Sequence, residues 1–419
     1  KEEDFHNTKM VDLRREVLAI LVGGSPAPGV NGVISAVAIE AINSNCIVIG
    51  FVEGWRRLKL GRSSPVPIKI AEIASIHSKG GSFLRTSKEQ LSTDLEVDNA
   101  LRTIEYRRVR YLITIGGTDT AYSAYLLSQA AKLGNYELSV VHVPKTIFSD
   151  LPLPRDAKTF GFSTAREMGT RIIGNLYEDS RTMDRWYIVS VIGAKAGHLC
   201  LGIGKSSAAT LTLIAEEFEY PVRLSDIVDH VDVCMLKREA MNKHYGIVLL
   251  AEGLVDKMEE KDIKELFGSV DDGHAELARR VTQELLKRIR ERKKPVPRII
   301  PRDLGFELRA ADPNATDREL ARDLGYGAAR DLLAGGSGHM VTMQGQNMIS
   351  IEFEDLLDPD TGKTQIKRVN TSSLGFQVAK TYMIRLLESD LKNPDLLYRL
   401  AVAARMEVDE FVKRYKHVV

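Results

Sequence analysis

Short runs rich in Val, Ile and Leu alternate along the chain with longer stretches in which apolar and polar residues mix at helical spacing. Glu16–Val22 (EVLAILV) predicts a buried strand, residues 23–29 a loop, and Asn31–Asn43 a helix. Cys46–Val52, Arg110–Ile115, Ser139–Val143, Tyr187–Ile192 and Tyr245–Leu250 predict further strands. Strands this apolar, separated by helices, predict an α/β fold with mainly parallel sheet covered by helices on both faces. Residues from about Ala275 to Lys294 form a charged amphipathic pattern that Pro295 and Pro297 end, and Pro295–Pro301 reads as a connector. The basic run 287–294 reads as a solvated helix end rather than a phosphate or RNA patch, because cations suit a helix C-terminus. The segment from about Ser372 to Val419 predicts two or three helices.

Composition narrows the class. At about 150 residues per domain, 419 residues correspond to two or three domains, or to one large α/β unit with additions. Hydrophobic residues make up 44% and charged residues 27%, which fits a folded globular chain and excludes a disordered or collagen-like one. Lys+Arg 58 against Asp+Glu 57 leaves +1, so no overall field points to nucleic acid or a membrane surface. Phosphate ligands would have to be held by local geometry. Cys46, Cys200 and Cys234 show no CxxC spacing, which suits a reducing compartment and argues against a disulfide framework or a cysteine zinc site. The first ten residues, KEEDFHNTKM, are unlike a secretory signal. The longest apolar runs fall far short of the ~20 residues that cross a bilayer. The expectation is a cytoplasmic protein with neither a nucleic-acid nor a membrane partner.

The loops after the strands carry the chemistry. They read GGSPAPG (23–29), GGTDT (116–120), PKTIFSD (144–150), IGAKAGH (192–198) and AEG (251–253). Glycine lets the backbone approach an anion closely, and a following helix offers unused N–H donors. One such loop can simply end a strand; several in register at strand carboxyl ends point to a phosphate or sugar site. Common nucleotide and metal motifs are missing. GIGKSS (202–207) lacks the first glycine of a P-loop, because Leu199 stands there, and no HExxH occurs. His77 and His198 read as structural rather than as metal ligands.

The ordered loops resemble the phosphofructokinase family, and most of all its pyrophosphate-dependent branch, from about residue 16 to 385. The GG…PG-N opening is matched by Gly23, Gly24, Pro28, Gly29 and Asn31, and GGSxLxTSR by Gly80–Lys88. GGDDT, PKTIDNDLP, TFGFDTA, VMGRKAGHLALGIGK and PEGL follow in order. GYELRxADPxxxD is matched by Gly305–Asp317, and SGHMVTMQ (337–344) also fits. The resemblance implies two phosphofructokinase-like α/β lobes with an active-site cleft between them: 12–185 on the phosphoryl-donor side, 186–350 on the sugar-phosphate side, and a C-terminal helical segment 351–419. It implies a homodimer or homotetramer, and transfer of a phosphoryl group to the 1-hydroxyl of fructose 6-phosphate with Mg²⁺ as cofactor. On the donor side it implies Gly24, Lys88, Asp119, Thr120 and Lys145 as phosphate ligands. An acid at Asp119 and the lysine Lys145 are similar to the branch that uses pyrophosphate. On the sugar side it implies Thr146, Arg185, Gly193, Glu252 and Arg309, with Arg185 often reaching a neighbouring subunit and with Arg298 or Arg302 as a further phosphate contact.

The centre departs from that pattern. Thr118 replaces the metal-linked aspartate of GGDDT, Phe148 the aspartate that acts as base, and Ser149 the asparagine beside it; Asp150 survives as the remaining candidate acid–base residue. Ser163 replaces the aspartate of GFDTA, Ala194 the arginine of MGR, and Lys88 the arginine of TSR. Two readings follow. One is a pyrophosphate-type phosphotransferase with reduced or altered activity on fructose 6-phosphate or a related sugar phosphate. The other is a non-catalytic sugar-phosphate-binding or regulatory homologue.

Overall fold

The computed structural model describes residues 15–154, 157–193, 195–218 and 221–419. The described residues form thirteen strands. These are β1 (Val17–Val22), β2 (Ile47–Phe51), β3 (Val66–Pro67), β4 (Val109–Gly116), β5 (Ser139–Thr146), β6 (Ala157–Lys158), β7 (Phe160–Gly161), β8 (Trp186–Val191), β9 (Leu211–Leu213), β10 (Gly246–Ala251), β11 (Ile299–Leu304), β12 (His339–Gln344) and β13 (Asn347–Glu352). The six strands expected from apolar runs are all present, each within a few residues of its expected ends.

The chain divides into two compact units. The first comprises the chain up to Thr146, Leu151–Gly161 and Ala310–Gln365. Its sheet runs β13-β12-β5-β4-β1-β2-β3, with β6 on β12 and β7 on β5. The five central strands are parallel, while β3, β6 and β13 pair antiparallel at the margins. Leu21, Phe51, Trp55, Leu112, Leu127 and Val140 pack among its core residues. The second unit comprises Ile147–Asp150, Phe162–Arg309 and Ile366–Val419. Its all-parallel sheet runs β11-β8-β10-β9.

These units correct the contiguous lobes 12–185, 186–350 and 351–419. The helix Phe162–Thr182 packs on the helix His198–Ser207 and on β10, so it belongs with the second sheet. The helix Ala315–Leu333 packs on the helix Val30–Asn43, and β12 adds to β5, so both belong with the first. Hydrophobic contact, not sequence order, sets the division.

Three local expectations also change. Pro295–Pro301 is not wholly a connector, because β11 runs through Pro301. An edge strand tolerates a proline that a central strand would not, and β11 is the edge. The last segment holds four helices, Leu374–Thr381, Glu388–Leu391, Pro394–Ala404 and Val408–Tyr415. The helix foreseen from Ala275 spans Val270–Glu291, and its basic end is only partly solvated: Lys287, Arg290 and Lys293 are exposed, while three other cations are paired. Arg288 lies 2.5 Å from Asp229, Arg292 grips Asp232 with both terminal nitrogens, and Lys294 meets Glu239 at 2.6 Å.

The reason is that the helix Leu224–Ala240 is buried on two sides. Ile227, Val228, Val231 and Cys234 face the second sheet's core, while Val233 and Leu236 pack with Leu400, Phe411 and Tyr415. Its acidic residues are therefore desolvated and need cations. Asp232 accepts from Arg292 and, at 2.7 Å, from the Tyr415 hydroxyl. Burial and the neighbouring Asp232 push that phenol's pKa well up, so it stays a donor. Removing one member of such a pair strands the other charge. Asp232→Ala should therefore destabilise the second unit by about 3–5 kcal/mol, read from its urea denaturation midpoint, and Asp232→Asn should cost less.

Candidate functional site

In the first unit the chain ends after β1, β4 and β5 are tied together. Gly23 N–H donates to the Ile115 carbonyl at 2.9 Å and Gly24 N–H to that of Ser87 at 2.8 Å. The Thr86 hydroxyl lies 2.6 Å from the Gly24 carbonyl. The amide of Asn31 donates to the carbonyls of Lys79 and Gly80 and accepts from Phe83 N–H at 2.7 Å. Thus the GGSFLRTSK segment is sewn onto the first glycine loop.

Thr120 sits where side chains at 23 and 116 would be. A β-carbon on Gly23 would lie 2.4 Å from its hydroxyl oxygen, and one on Gly116 2.3 Å from it. Lys145, only 3% exposed, donates to the Gly23 carbonyl at 2.7 Å and to that of Ser25. Gly24, Thr120 and Lys145 are therefore brought together, as the sequence led us to expect. Asp119 is exposed in the first turn of the helix Thr118–Leu133, where an acid also suits the helix dipole. The Thr118 carbonyl accepts from the Thr364 hydroxyl at 3.0 Å. Lys88 is exposed beside Ser87, and Thr146 is buried at the end of β5.

His142 on β5 was not foreseen. It is buried between the Thr114 hydroxyl at 2.8 Å and the Gly116 carbonyl at 3.1 Å. A carbonyl only accepts, so Nε2 carries the proton and Nδ1 accepts from Thr114. This ring fixes the start of the GGTDT loop. Burial drives its pKa down to about 3, so it is neutral. A histidine inside the apolar run SVVHV was the available signal.

In the second unit the carboxyl ends of β8, β10 and β11 lead to three of the expected sugar-side residues. Gly193 N–H donates to Glu252 Oε1 at 2.9 Å. Arg309 is half-buried with its guanidinium over the Phe306 ring, 4.7 Å from the centroid. Its Nε is buried without a hydrogen-bond partner, and the guanidinium makes no ion pair among the described residues. Desolvation lowers its pKa, and the nearby Glu252 opposes that shift.

Arg185 is not brought to this group. It precedes β8, at the amino end of the sheet, and lies 3.4 Å from Asp179. Arg298 lies at the same end, where its carbonyl accepts from Trp186 N–H. Arg302 is an exposed residue within β11. Asp150 is buried, and its carbonyl accepts from Lys367 N–H at 2.8 Å. Phe148 and Ser163 are half-buried. Ser149 has φ 55, a left-handed conformation that asparagine adopts more readily than serine. Ala194 lies outside the described residues.

The Phosphofructokinase family profile matches residues 17–332. The chain belongs to the phosphofructokinase family. It is 44% identical to a pyrophosphate–fructose 6-phosphate 1-phosphotransferase of Naegleria fowleri, over 96% of this chain and 95% of that protein. It is 42% identical to a protein of the same name from Thermotoga maritima, over 96% of this chain and 98% of that one. Among solved structures, a pyrophosphate-dependent phosphofructokinase from Marinobacter aquaeolei superposes with a TM-score of 0.65 at 18% identity, covering 93% of this chain and 91% of that one. The phosphofructokinase-like α/β fold and the family resemblance are thus both shown.

A magnesium site of the kind expected for this family is not supported by the donor set. Thr118 offers a hydroxyl where a carboxylate was expected, and the loop's one remaining acid is exposed Asp119. Among the described residues, the only acidic–histidine trio with metal-like spacing is Asp226, Asp229 and His417. Arg288 already occupies Asp229 there. Among the described residues, Thr118 and exposed Asp119 do not supply the paired carboxylates expected at that loop, and no step below depends on a metal.

The neutral state of His142 gives a pH test. Its folded pKa of about 3 lies below the ordinary 6.5, so its contribution to stability is full above about 6.5 and is lost as pH falls toward 3. Replacing His142→Gln should make the acid limb of stability, followed by urea denaturation between those pH values, shallower by up to about 1.4 kcal/mol per pH unit.

Proposed function

We propose that this protein is a pyrophosphate-type phosphotransferase that acts on fructose 6-phosphate or a related sugar phosphate, slowly for its family. The observation that carries the reading is Arg309, a half-buried guanidinium without an ion pair among the described residues, near Glu252 at the carboxyl ends of parallel strands. A desolvated, unpaired arginine is stable only if an anion completes it, and its fork suits a phosphate ester. Glu252, oriented by Gly193 N–H, would accept from sugar hydroxyls. The names of the two relatives above 40% identity support the same substrate class.

For the donor, the amides of Thr118, Asp119 and Thr120 begin a helix and are not used by it, so they suit phosphate oxygens. Lys145 adds a positive charge held by the glycine loop. Asp119 disfavours the additional phosphate of a nucleotide by like-charge repulsion. Phe148 cannot take the proton of the acceptor hydroxyl, and the loss of a general base typically costs ~10²–10⁴ in rate. Asp150 is the nearest carboxylate in sequence for that role.

The second reading, a sugar-phosphate-binding homologue without turnover, rests on the same replacements at Thr118 and Phe148. A ³¹P NMR time course with Mg²⁺, pyrophosphate and fructose 6-phosphate separates the two. Slow appearance of fructose 1,6-bisphosphate and orthophosphate is expected with pyrophosphate, and none with ATP. Phe148→Asp combined with Thr118→Asp should raise the rate about 10²-fold or more. Silence from both the natural and the doubly substituted protein would leave only the binding reading.

A further inference from the structure

Lys195, Lys257 and Arg368 line one cavity of about 480 Å³ in the second unit, together with Gly253 and Asp256. None of the three cations has an ion pair or side-chain hydrogen bond among the described residues. Asp256, the acid of this wall, lies 3.3 Å from His274 Nε2, and its negative charge raises the pKa of that ring. The cavity therefore holds three uncompensated positive side chains and one acid that has its own partner. Its size is that of a small-molecule site.

Exposed lysines are common, but here the backbone that carries each cation is fixed. Glu216 Oε1 accepts from Gly197 N–H at 2.9 Å and from Val369 N–H at 3.0 Å. One carboxylate thus joins the Lys195 loop to the Arg368 segment. That segment is held again by Lys367, whose N–H donates to Asp150 and whose carbonyl accepts from His198 at 3.1 Å. The Lys257 carbonyl accepts from Val222 N–H at 2.7 Å. A basin whose cations stand on fixed backbone has less chain to order around a ligand. Gly253 places it directly after Glu252, and Lys195 follows the position where Ala194 replaces a family arginine.

We propose that Lys195, Lys257 and Arg368 form a binding basin for a phosphate dianion, which restores next to Glu252 the positive charge that position 194 lacks. The ligand class rests on the functional reading above, but binding here does not require turnover. Arg368 supplies a forked donor pair and the two lysines supply point charges, a set suited to the three oxygens of a phosphate group.

Lysine acylation of the full chain, quantified by mass spectrometry, tests this without using activity. The reagent is applied in orthophosphate, in pyrophosphate, in fructose 6-phosphate, and in sodium chloride at matched ionic strength. Lys195 and Lys257 should both react about fivefold or more slowly in at least one phosphate ligand than in chloride, while exposed Lys69 is unchanged. Protection by orthophosphate assigns the basin to a free phosphate; protection by fructose 6-phosphate alone assigns it to the sugar ester. Arg368→Gln, an exposed change, should abolish protection of both lysines, and Lys257→Gln should abolish that of Lys195. Equal reactivity in all four solutions, or equal protection of Lys69, would overturn the proposal. A protein silent in the NMR time course but protected here would lose the catalytic reading and keep this one.

Discussion

The space denied to side chains at Gly23 and Gly116 governs the first unit's candidate site. Thr120 fills that space with its hydroxyl and methyl, so the start of its helix is pressed against the ends of β1 and β4. A β-carbon at either glycine would overlap Thr120 by more than an ångström of ordinary contact distance. Because Thr120 is near the first residue of the helix, the same contact brings the helix's amino end to the glycine loop. Asn31 and His142 then hold the neighbouring segments by hydrogen bonds to backbone, not by bulk. Neutrality of His142 matters to this arrangement. A charged imidazole could not accept from Thr114, so the hydroxyl would have to turn and accept from Nδ1–H instead.

The second unit is organised by charge instead. Its helix Leu224–Ala240 needs cations because both faces are buried, and it receives them from the end of the helix Val270–Glu291. Those arginines are spent on structure. Arg309, Lys195, Lys257 and Arg368 are in no ion pair among the described residues; the first three follow strand carboxyl ends, and Arg368 lines the same cavity as Lys195 and Lys257. Among basic residues of one unit, being paired or unpaired separates scaffold from candidate site better than exposure does. Arg292 and Arg309 are both poorly solvated, yet among the described residues only Arg292 of the two is in an ion pair.

Much of this was legible in the sequence, for identifiable reasons. The six apolar strands are buried on both faces, and continuous apolar runs are the signature of that environment. β11 was hidden because it is an edge, where Pro301, Arg302 and Asp303 are tolerated and the apolar run is diluted. β12 and β13 were hidden by their short, half-polar antiparallel pairing. Unit boundaries were not legible, since the contacts of Phe162–Thr182 and Ala315–Leu333 are long-range. For the site, Gly24, Thr120 and Lys145 lie in the first unit and Gly193, Glu252 and Arg309 in the second, each in or just after a motif loop. The resemblance also put Arg185 on the sugar side, although it stands at the opposite end of β8, and the motifs said nothing of the pairing that buries Arg292. Position along a strand is written in sequence; a counter-charge from another segment is not.

The replacements at Thr118, Phe148 and Ser163 act on binding and on catalysis in opposite senses. An ionised aspartate beside a phosphate repels it in the ground state, and threonine, phenylalanine and serine do not. The same aspartates would take up the acceptor's proton and offset charge that develops only during transfer. Removing them therefore retains or strengthens anion binding while it weakens the stabilisation peculiar to the transition state, and only the second quantity sets turnover. Ser149 bears on the point: its left-handed backbone is the conformation that suits the asparagine of the family motif, so the loop's shape outlasts the side chains that used it. On the proposed reading, these replacements weigh more against transfer than against the holding of a phosphate. That bias is common to the slow-enzyme and the binding readings, which makes turnover, and not affinity, the quantity that distinguishes them.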